Sequence, residues 1–257
     1  MALSVIASCT KESKVLVLYY SQEGSTKVVA EEISNQIGAD LVAFDVEEPY
    51  TGNFNETIAR CLEEQSAGKV PGLAALDINL DDYDTVFLGY PIWFGTYAPP
   101  VAALLKEKDF SGKKIVPFCT FGSGGLNTSV ADLKNALKDS EILDGYGVRA
   151  ARLAAVPQEV ERFLIEGGFK EGVLEELAEY SEQAPVTEEE IAIFEEACSN
   201  YQFPLGTPVT AGSRTASYGT DYHFMVESTA PDGSVSKSQI YVTVSDSGKA
   251  EFTQVVR

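Results

Sequence analysis

Val15-Leu16-Val17-Leu18-Tyr19-Tyr20-Ser21-Gln22-Glu23-Gly24-Ser25-Thr26 is the stretch on which the reading of this chain turns. A continuous apolar run of this kind is a strand buried on both faces, as in the centre of a parallel sheet. It runs straight into a turn of hydroxyls and one glycine, and a helical pattern follows. Ser21, Ser25 and Thr26 supply three side-chain hydroxyls, and Gly24 lets the backbone bend with its N–H groups on one side. A helix opening near Ser25 adds unpaired N–H groups and the positive end of its dipole, so the turn suits a phosphate. The Walker pattern of Gly-Lys followed by Ser or Thr is absent, which points to a bound monophosphate and away from a nucleoside triphosphate. The plain alternative is an ordinary strand-to-helix turn capped by Ser or Thr.

From residue 14 to about 168 the chain alternates between the two periodicities. Strands are predicted over 15–20, 41–46, 85–90, 114–120 and 146–153, and helices over 26–37, 55–68, 99–108, 128–138 and 159–166. Such alternation implies a doubly wound α/β domain, whose ligands sit beyond the carboxyl ends of the strands. A weakly helical acidic linker is expected over 169–186. A second, small α+β domain follows over 187–257, one helix and about four antiparallel strands with turn signals at Tyr218-Gly219, Pro231-Asp232-Gly233 and Asp246-Ser247-Gly248.

Two further loops at strand ends have unusual composition. Tyr90-Pro91-Ile92-Trp93-Phe94-Gly95-Thr96-Tyr97-Ala98-Pro99-Pro100 carries the one tryptophan of the chain between stiffening prolines. Aromatic residues there either plug the core or stack on something flat. Phe121-Gly122-Ser123-Gly124-Gly125 has three glycines, which admit a ligand close to the backbone and expose N–H donors. The three loops together describe a pocket for a flat heterocycle bearing a monophosphate.

Residues 14–30, 90–100 and 118–129 resemble the flavodoxin family, closest to its short bacterial branch, over about residues 14–168. The resemblance implies a five-stranded parallel sheet of order 2-1-3-4-5 and FMN as cofactor. It implies a phosphate loop of Ser21, Gln22, Glu23, Gly24, Ser25 and Thr26, with Pro91, Ile92, Trp93, Phe94, Gly95 and Thr96 beside the isoalloxazine ring. Phe121, Gly122, Ser123, Gly124 and Gly125 match the loop at the ring edge. Glu23 replaces a threonine common in the family, and the third loop lacks its usual acidic or aromatic residue, which leaves Trp93 as the stacking partner. Residues 215–222 loosely resemble a hairpin motif of the cystatin fold, an architectural likeness with no protease inhibition attached.

Charge and cysteine usage narrow the function. The formal net charge is −20, and residues 157–200 hold 13 Glu against Arg162 and Lys170. That balance argues against nucleic-acid binding and against docking on anionic lipid. The acidic run reads as a solvated helical face or as a docking surface for a basic redox partner. Cys9, Cys61, Cys119 and Cys198 form no metal-ligand spacing, and His223 is the one histidine, so no metal site and no catalytic residue is assigned. Phosphatases that need Cys-x5-Arg are excluded, because Gly125 stands six residues after Cys119. Receiver domains are excluded by Tyr20 and Ser21, where an acidic cluster would be required.

Residues 1–13 read as a truncated signal-like lead, with Ile6-Ala7-Ser8-Cys9 resembling a bacterial lipoprotein cleavage box. The expectation is a cell-envelope lipoprotein anchored at Cys9, with a cytoplasmic location as the alternative. The expected function is electron transfer by an FMN-binding redox protein, to a partner protein or a small acceptor. An NAD(P)H-dependent FMN or quinone reductase and a non-catalytic envelope interaction protein are the alternatives.

Overall fold

A computed structural model describes residues 14–122, 124–199, 201, 205–230 and 232–256. The cleavage-box expectation at residues 6–9 lies outside them. The chain divides into two compact units between Glu171 and Gly172.

In the first unit, β1 (Val15–Tyr19) enters the core with Leu16, Val17 and Leu18 fully buried. Helix α1 (Ser25–Ile37) buries Thr26, Val29, Ala30 and Ile33, the one-face spacing of an amphipathic helix, and ends at Gly38 in the left-handed conformation. Strand β2 (Asp40–Ala43) stops three residues before its predicted end. The apolar alternation continues through Phe44 and Val46 because this segment crosses to an antiparallel partner: the Glu47 N–H donates to Gly72 O at 2.9 Å and the Ala74 N–H to Asp45 O at 2.9 Å. Helix α2 (Phe54–Ser66) opens on a capping box formed by Asn53 and Glu56.

Strand β3 (Thr85–Trp93) runs three residues past its predicted end and folds back into the short β4 (Thr96–Tyr97). The expected aromatic loop is therefore a β-hairpin. Helix α3 (Pro99–Glu107), β5 (Lys114–Phe121) and α4 (Leu126–Ala136) follow. The fifth strand is split into β6 (Glu141–Ile142) and β7 (Tyr146–Arg149), both parallel to β5. The break lies beside Pro117, which has no N–H to offer a neighbouring strand, and a Cβ at Gly145 would come within 2.8 Å of the Pro117 carbonyl oxygen. Residues 150–153, expected to extend the last strand, belong instead to a 3₁₀ turn over 150–155 that leads into α5 (Val156–Glu166), where Pro157 takes the first turn.

The sheet order is β2-β1-β3-β5 followed by the split fifth strand, which is the doubly wound 2-1-3-4-5 arrangement. Apolar clusters cover both faces, with Leu18, Tyr90 and Leu104 on one side and Val17, Phe87 and Val160 on the other.

The second unit packs β8 (Ala184–Pro185), α6 (Glu188–Cys198), β9 (Thr207–Ala216), β10 (Gly219–Thr229), β11 (Val235–Ser245) and β12 (Ala250–Val256) into an antiparallel sheet of order β12-β11-β10-β9-β8 under one helix. Phe194 of α6 meets Phe224 at 5.3 Å between ring centroids, inside a core with Val226, Ile240 and Val242. Residues 172–183 depart from the expected weak helix. Glu175, Glu176, Glu179 and Glu182 stand three and four apart, where like charges oppose a helix. The segment is irregular and fastened to the sheet instead: the Ser181 N–H donates to Ser213 O at 2.9 Å, and Arg214 lies 4.4 Å from the Tyr180 ring centre.

His223 on β10 stacks on Tyr241 at 4.7 Å and meets the edge of Tyr180, while Gln183 Nε2 donates to its carbonyl at 3.0 Å. Burial pushes its imidazole pKa below the ordinary 6.5. The unfolded chain then binds more protons than the folded one below that value, so stability is full above it and is lost as the pH falls through the folded pKa. The thermal midpoint of the second unit is expected to drop between pH 7 and pH 5 in a calorimetric series, and His223→Gln is expected to flatten that slope.

Candidate functional site

The carboxyl ends of β1, β3 and β5 share one rim, and the strand order reverses between β1 and β3, where ligands of such sheets sit. The 21–26 turn leaves β1 there. Gly24 stands at the N-cap of α1 at φ 93°, a left-handed value that favours glycine, and has no side chain of its own to cap the helix. Ser21 Oγ accepts from the Gly24 N–H at 3.1 Å and the Lys27 N–H at 3.2 Å. The N–H groups of Ser25 and Thr26 have no partner among the described residues. By contrast, α2 and α6 satisfy their first turns with complete capping boxes. Two unpartnered N–H groups at a helix start behind a glycine turn suit an anion.

The other side chains of this turn divide by role. Gln22 turns away, its Nε2 donating to Thr57 Oγ1 at 2.9 Å and to Tyr50 O at 3.3 Å. Thr26 is buried, its hydroxyl paired with Thr120 Oγ1 at 2.9 Å. Glu23 is exposed. Ser21, Gln22 and Thr26 therefore fasten the turn, which leaves the Ser25 hydroxyl and the two unpartnered N–H groups available.

The β3–β4 hairpin turns at Phe94 and Gly95, with φ of 52° and 84°. Two consecutive left-handed residues are the mark of a type I′ turn. Ile92 pairs with Tyr97 and Trp93 with Thr96, and Thr96 Oγ1 donates to Asp132 Oδ2 on α4. Trp93 is half-buried and meets Tyr20 at 6.0 Å and Tyr50 at 5.1 Å, both edge to face. Phe94 at the tip is 58% exposed.

After β5, the third loop places Phe121, Gly122, Gly124 and Gly125 on the same rim, and Ser123 lies outside the described residues. Gly125 caps α4 at φ 118°, again with no side-chain cap, so a second helix start opens here. A Cβ at Gly125 would lie 2.5 Å from Ile92 Cγ2 and 3.1 Å from Gly95 O, so only glycine lets this loop close on the hairpin.

All three predicted loops thus come together. The Thr26–Thr120 hydrogen bond joins the first to the strand that feeds the third, the Tyr20–Trp93 contact joins the first to the second, and Gly125 joins the second to the third. A cleft of about 480 Å³ opens beside them on the β2 side, lined by Ser21, Gly24, Lys27, Phe44, Asp45 and Leu76 among others. No hairpin or glycine-loop residue lines it, so the cleft and the three-loop rim share only the 21–26 turn.

Several contributors escaped the sequence reading. Tyr20 and Tyr50 back Trp93, and Arg60 sits 3.9 Å over the Tyr50 ring centre. Arg149, at the end of β7, donates to Gly122 O and brings a cation to the third loop. Tyr90 and Ser129, both fully buried, share a hydrogen bond of 3.1 Å beneath the rim. Burial pushes the hydroxyls of Tyr20 and Tyr90 above the ordinary tyrosine range, so both remain neutral donors. It pushes the Cys119 thiol up to about 12, too high for a nucleophile at neutral pH. Among the described residues no cluster of His, Cys, Asp or Glu could hold a metal, and no helix is long and apolar enough to cross a membrane.

The fold is a doubly wound sheet with a glycine turn and open helix N–H groups at its switch point and an aromatic hairpin beside them, the place where ligands of such sheets sit. The flavodoxin family model matches residues 14–156, and the chain belongs to that family. A candidate flavoprotein from Bacteroides eggerthii DSM 20697 is 28% identical and superposes with a TM-score of 0.53, over 59% of this chain and 96% of that one. A second, from Bacteroides uniformis ATCC 8492, shares the fold at 24% identity and a TM-score of 0.52, over 58% of this chain and 98% of that one. An NAD(P)H dehydrogenase (quinone) from Cupriavidus metallidurans is 33% identical over 97 residues, 37% of this chain. That match spans 46% of the curated relative, less than half its length.

Proposed function

We propose that the first unit binds FMN and serves as a redox protein that passes electrons to a protein partner or a small acceptor. The observation that carries this reading is the convergence of the three loops, pinned by the buried Thr26–Thr120 hydrogen bond. The residues fit the group. The open N–H groups of Ser25 and Thr26 and the hydroxyls of Ser21 and Ser25 suit a phosphate, and an added Cβ at Gly24 or Gly124 meets nothing within 4 Å, so ligand atoms have room to approach. The hairpin and the third loop supply apolar and backbone walls for the ring. Bound FMN supplies the electron chemistry, taking up and releasing one or two electrons. The chain's own part is to hold the phosphate by hydrogen bonds and to orient the ring between hairpin and glycine loop, and the net charge of −20 suits a basic partner. An anchor at Cys9 would hold it at the cell envelope, which mass analysis of the native protein for lipid tests.

Titrating the purified chain with FMN and with riboflavin, read by flavin fluorescence, tests the reading. Charge-assisted hydrogen bonds to the phosphate are expected to favour FMN on the order of 10- to 100-fold. Equal affinity, or no uptake of either, contradicts it. The segment shared with the quinone dehydrogenase supports a second reading as an NAD(P)H-dependent reductase. Rapid bleaching of the bound flavin by NADPH would favour that reading, and bleaching by dithionite alone favours the carrier.

A further inference from the structure

The three-loop rim leaves the cleft on the β2 side of the 21–26 turn unused. Its volume of about 480 Å³ suits a small-molecule site. The Phe44 N–H donates to Tyr19 O at 2.9 Å, which carries the chain past the end of β2 alongside β1 and brings Asp45 to the same carboxyl-end rim. Residues 72–76 close the far side, where the Ala74 N–H donates to Asp45 O at 2.9 Å and two small side chains, Ala74 and Ala75, line the opening. Phe44 and Leu76 give the cleft apolar surface, and Lys27 and Asp45 are its two charged groups. Lys27 holds Glu31 at 3.6 Å in an exposed, weak pair, and Asp45 accepts only the Val46 N–H, at 2.7 Å, among the described residues.

Doubly wound sheets take dinucleotides with this layout. A glycine turn after the first strand holds the phosphates at a helix start, and an acidic residue about 20 positions further on accepts from the ribose hydroxyls. Here Gly24 makes the turn, and Asp45 follows it by 21 positions, just past β2. The aromatic hairpin stands on the opposite side of β1, at the end of β3. The phosphate turn therefore lies between two ligand spaces, and a ligand that ended at the phosphate would fill one of them.

We infer that the cleft receives the adenosine end of FAD, with Lys27 serving its second phosphate and Asp45 accepting from its ribose hydroxyls. The inference rests on the flavin reading, which puts the ring on the three-loop rim, and deepens it by extending the ligand from FMN to its adenylated form.

The test is calorimetric titration of the full chain with FMN, FAD and ADP, for the wild type, Ala75→Trp and Asp45→Ala. Hydrogen bonds to charged groups in the cleft are expected to make FAD bind about 10- to 100-fold more tightly than FMN. Ala75 is exposed, so tryptophan there fills the cleft without entering the core. Both variants are expected to lose the preference for FAD and to keep the wild-type affinity for FMN, which also reports that they fold. FAD binding no tighter than FMN, or a preference that survives Ala75→Trp, overturns the inference while FMN uptake leaves the flavin reading intact. ADP binding to the FMN-loaded chain with no preference for FAD assigns the cleft to a separate nucleotide and overturns it too. A wild type that takes up neither flavin nucleotide defeats the parent reading as well, so the wild-type titrations tell the two failures apart.

Discussion

Gly125→Ala is expected to destabilise the first unit and to weaken FMN binding, and to do both more than Gly124→Ala. The two glycines stand side by side with nearly the same φ, 123° and 118°. Alanine at either site carries the left-handed penalty of about 1–2 kcal/mol. At Gly124 the new methyl meets nothing within 4 Å, whereas at Gly125 it meets Ile92 Cγ2 at 2.5 Å and the Gly95 carbonyl at 3.1 Å. The collision adds about 1–3 kcal/mol of overpacking, or else pushes the loop off the hairpin. Urea denaturation of the two variants measures the difference directly. Equal stabilities would mean that the third loop does not lean on the hairpin.

Thr26→Val is expected to cost about 1–3 kcal/mol, because it strands the Thr120 hydroxyl in the core without a partner. Both side chains are nearly inaccessible, at 1% and 4% exposure, and their 2.9 Å bond ties the start of α1 to the end of β5. Thr120→Val should cost a similar amount. The double variant should be more stable than either single one, since valine matches threonine in shape and two removed hydroxyls leave nothing unpaired. A double-mutant cycle is therefore expected to show a coupling of about 0.5–3 kcal/mol. Additive losses would contradict the pairing, and with it the link between the first loop and the third.

The strand-turn-helix at residues 15–37 could be read from its residues because local physics suffices there. A continuous apolar run, a glycine able to turn left-handed and a helical face of Val29, Ala30 and Ile33 all act within one segment. The hairpin could not be read that way. Prolines on both sides and the two-residue partner strand at Thr96 and Tyr97 disguise it as a loop, and Phe94-Gly95 is not the Asn-Gly or Asp-Gly pair that announces a type I′ turn. The break in the fifth strand depends on Pro117 in its neighbour, a tertiary cause that no window along residues 141–149 contains.

The same distinction separates the site residues that were foreseen from those that were not. Ser21, Gly24 and Gly125 were visible as turn chemistry. Tyr50 and Arg149 reach the rim from distant segments, and Gln22 and Thr26 face inward only because Thr57 and Thr120 wait for them. Residues 172–183 were expected to be weakly helical, and the repulsion among their glutamates, which opposes a helix, was there to be read.

The central claim is that three separate turns grip one ligand at one rim. Backbone ¹H–¹⁵N spectra of the chain, recorded during addition of FMN, test it most directly. The account predicts that the amides of Ser25 and Thr26, of Phe94 and Gly95, and of Gly124 and Gly125 shift together to a single 1:1 end point. Shifts confined to the 21–26 turn and the cleft around Phe44, Asp45 and Leu76, with the hairpin and Gly125 unmoved, would contradict it.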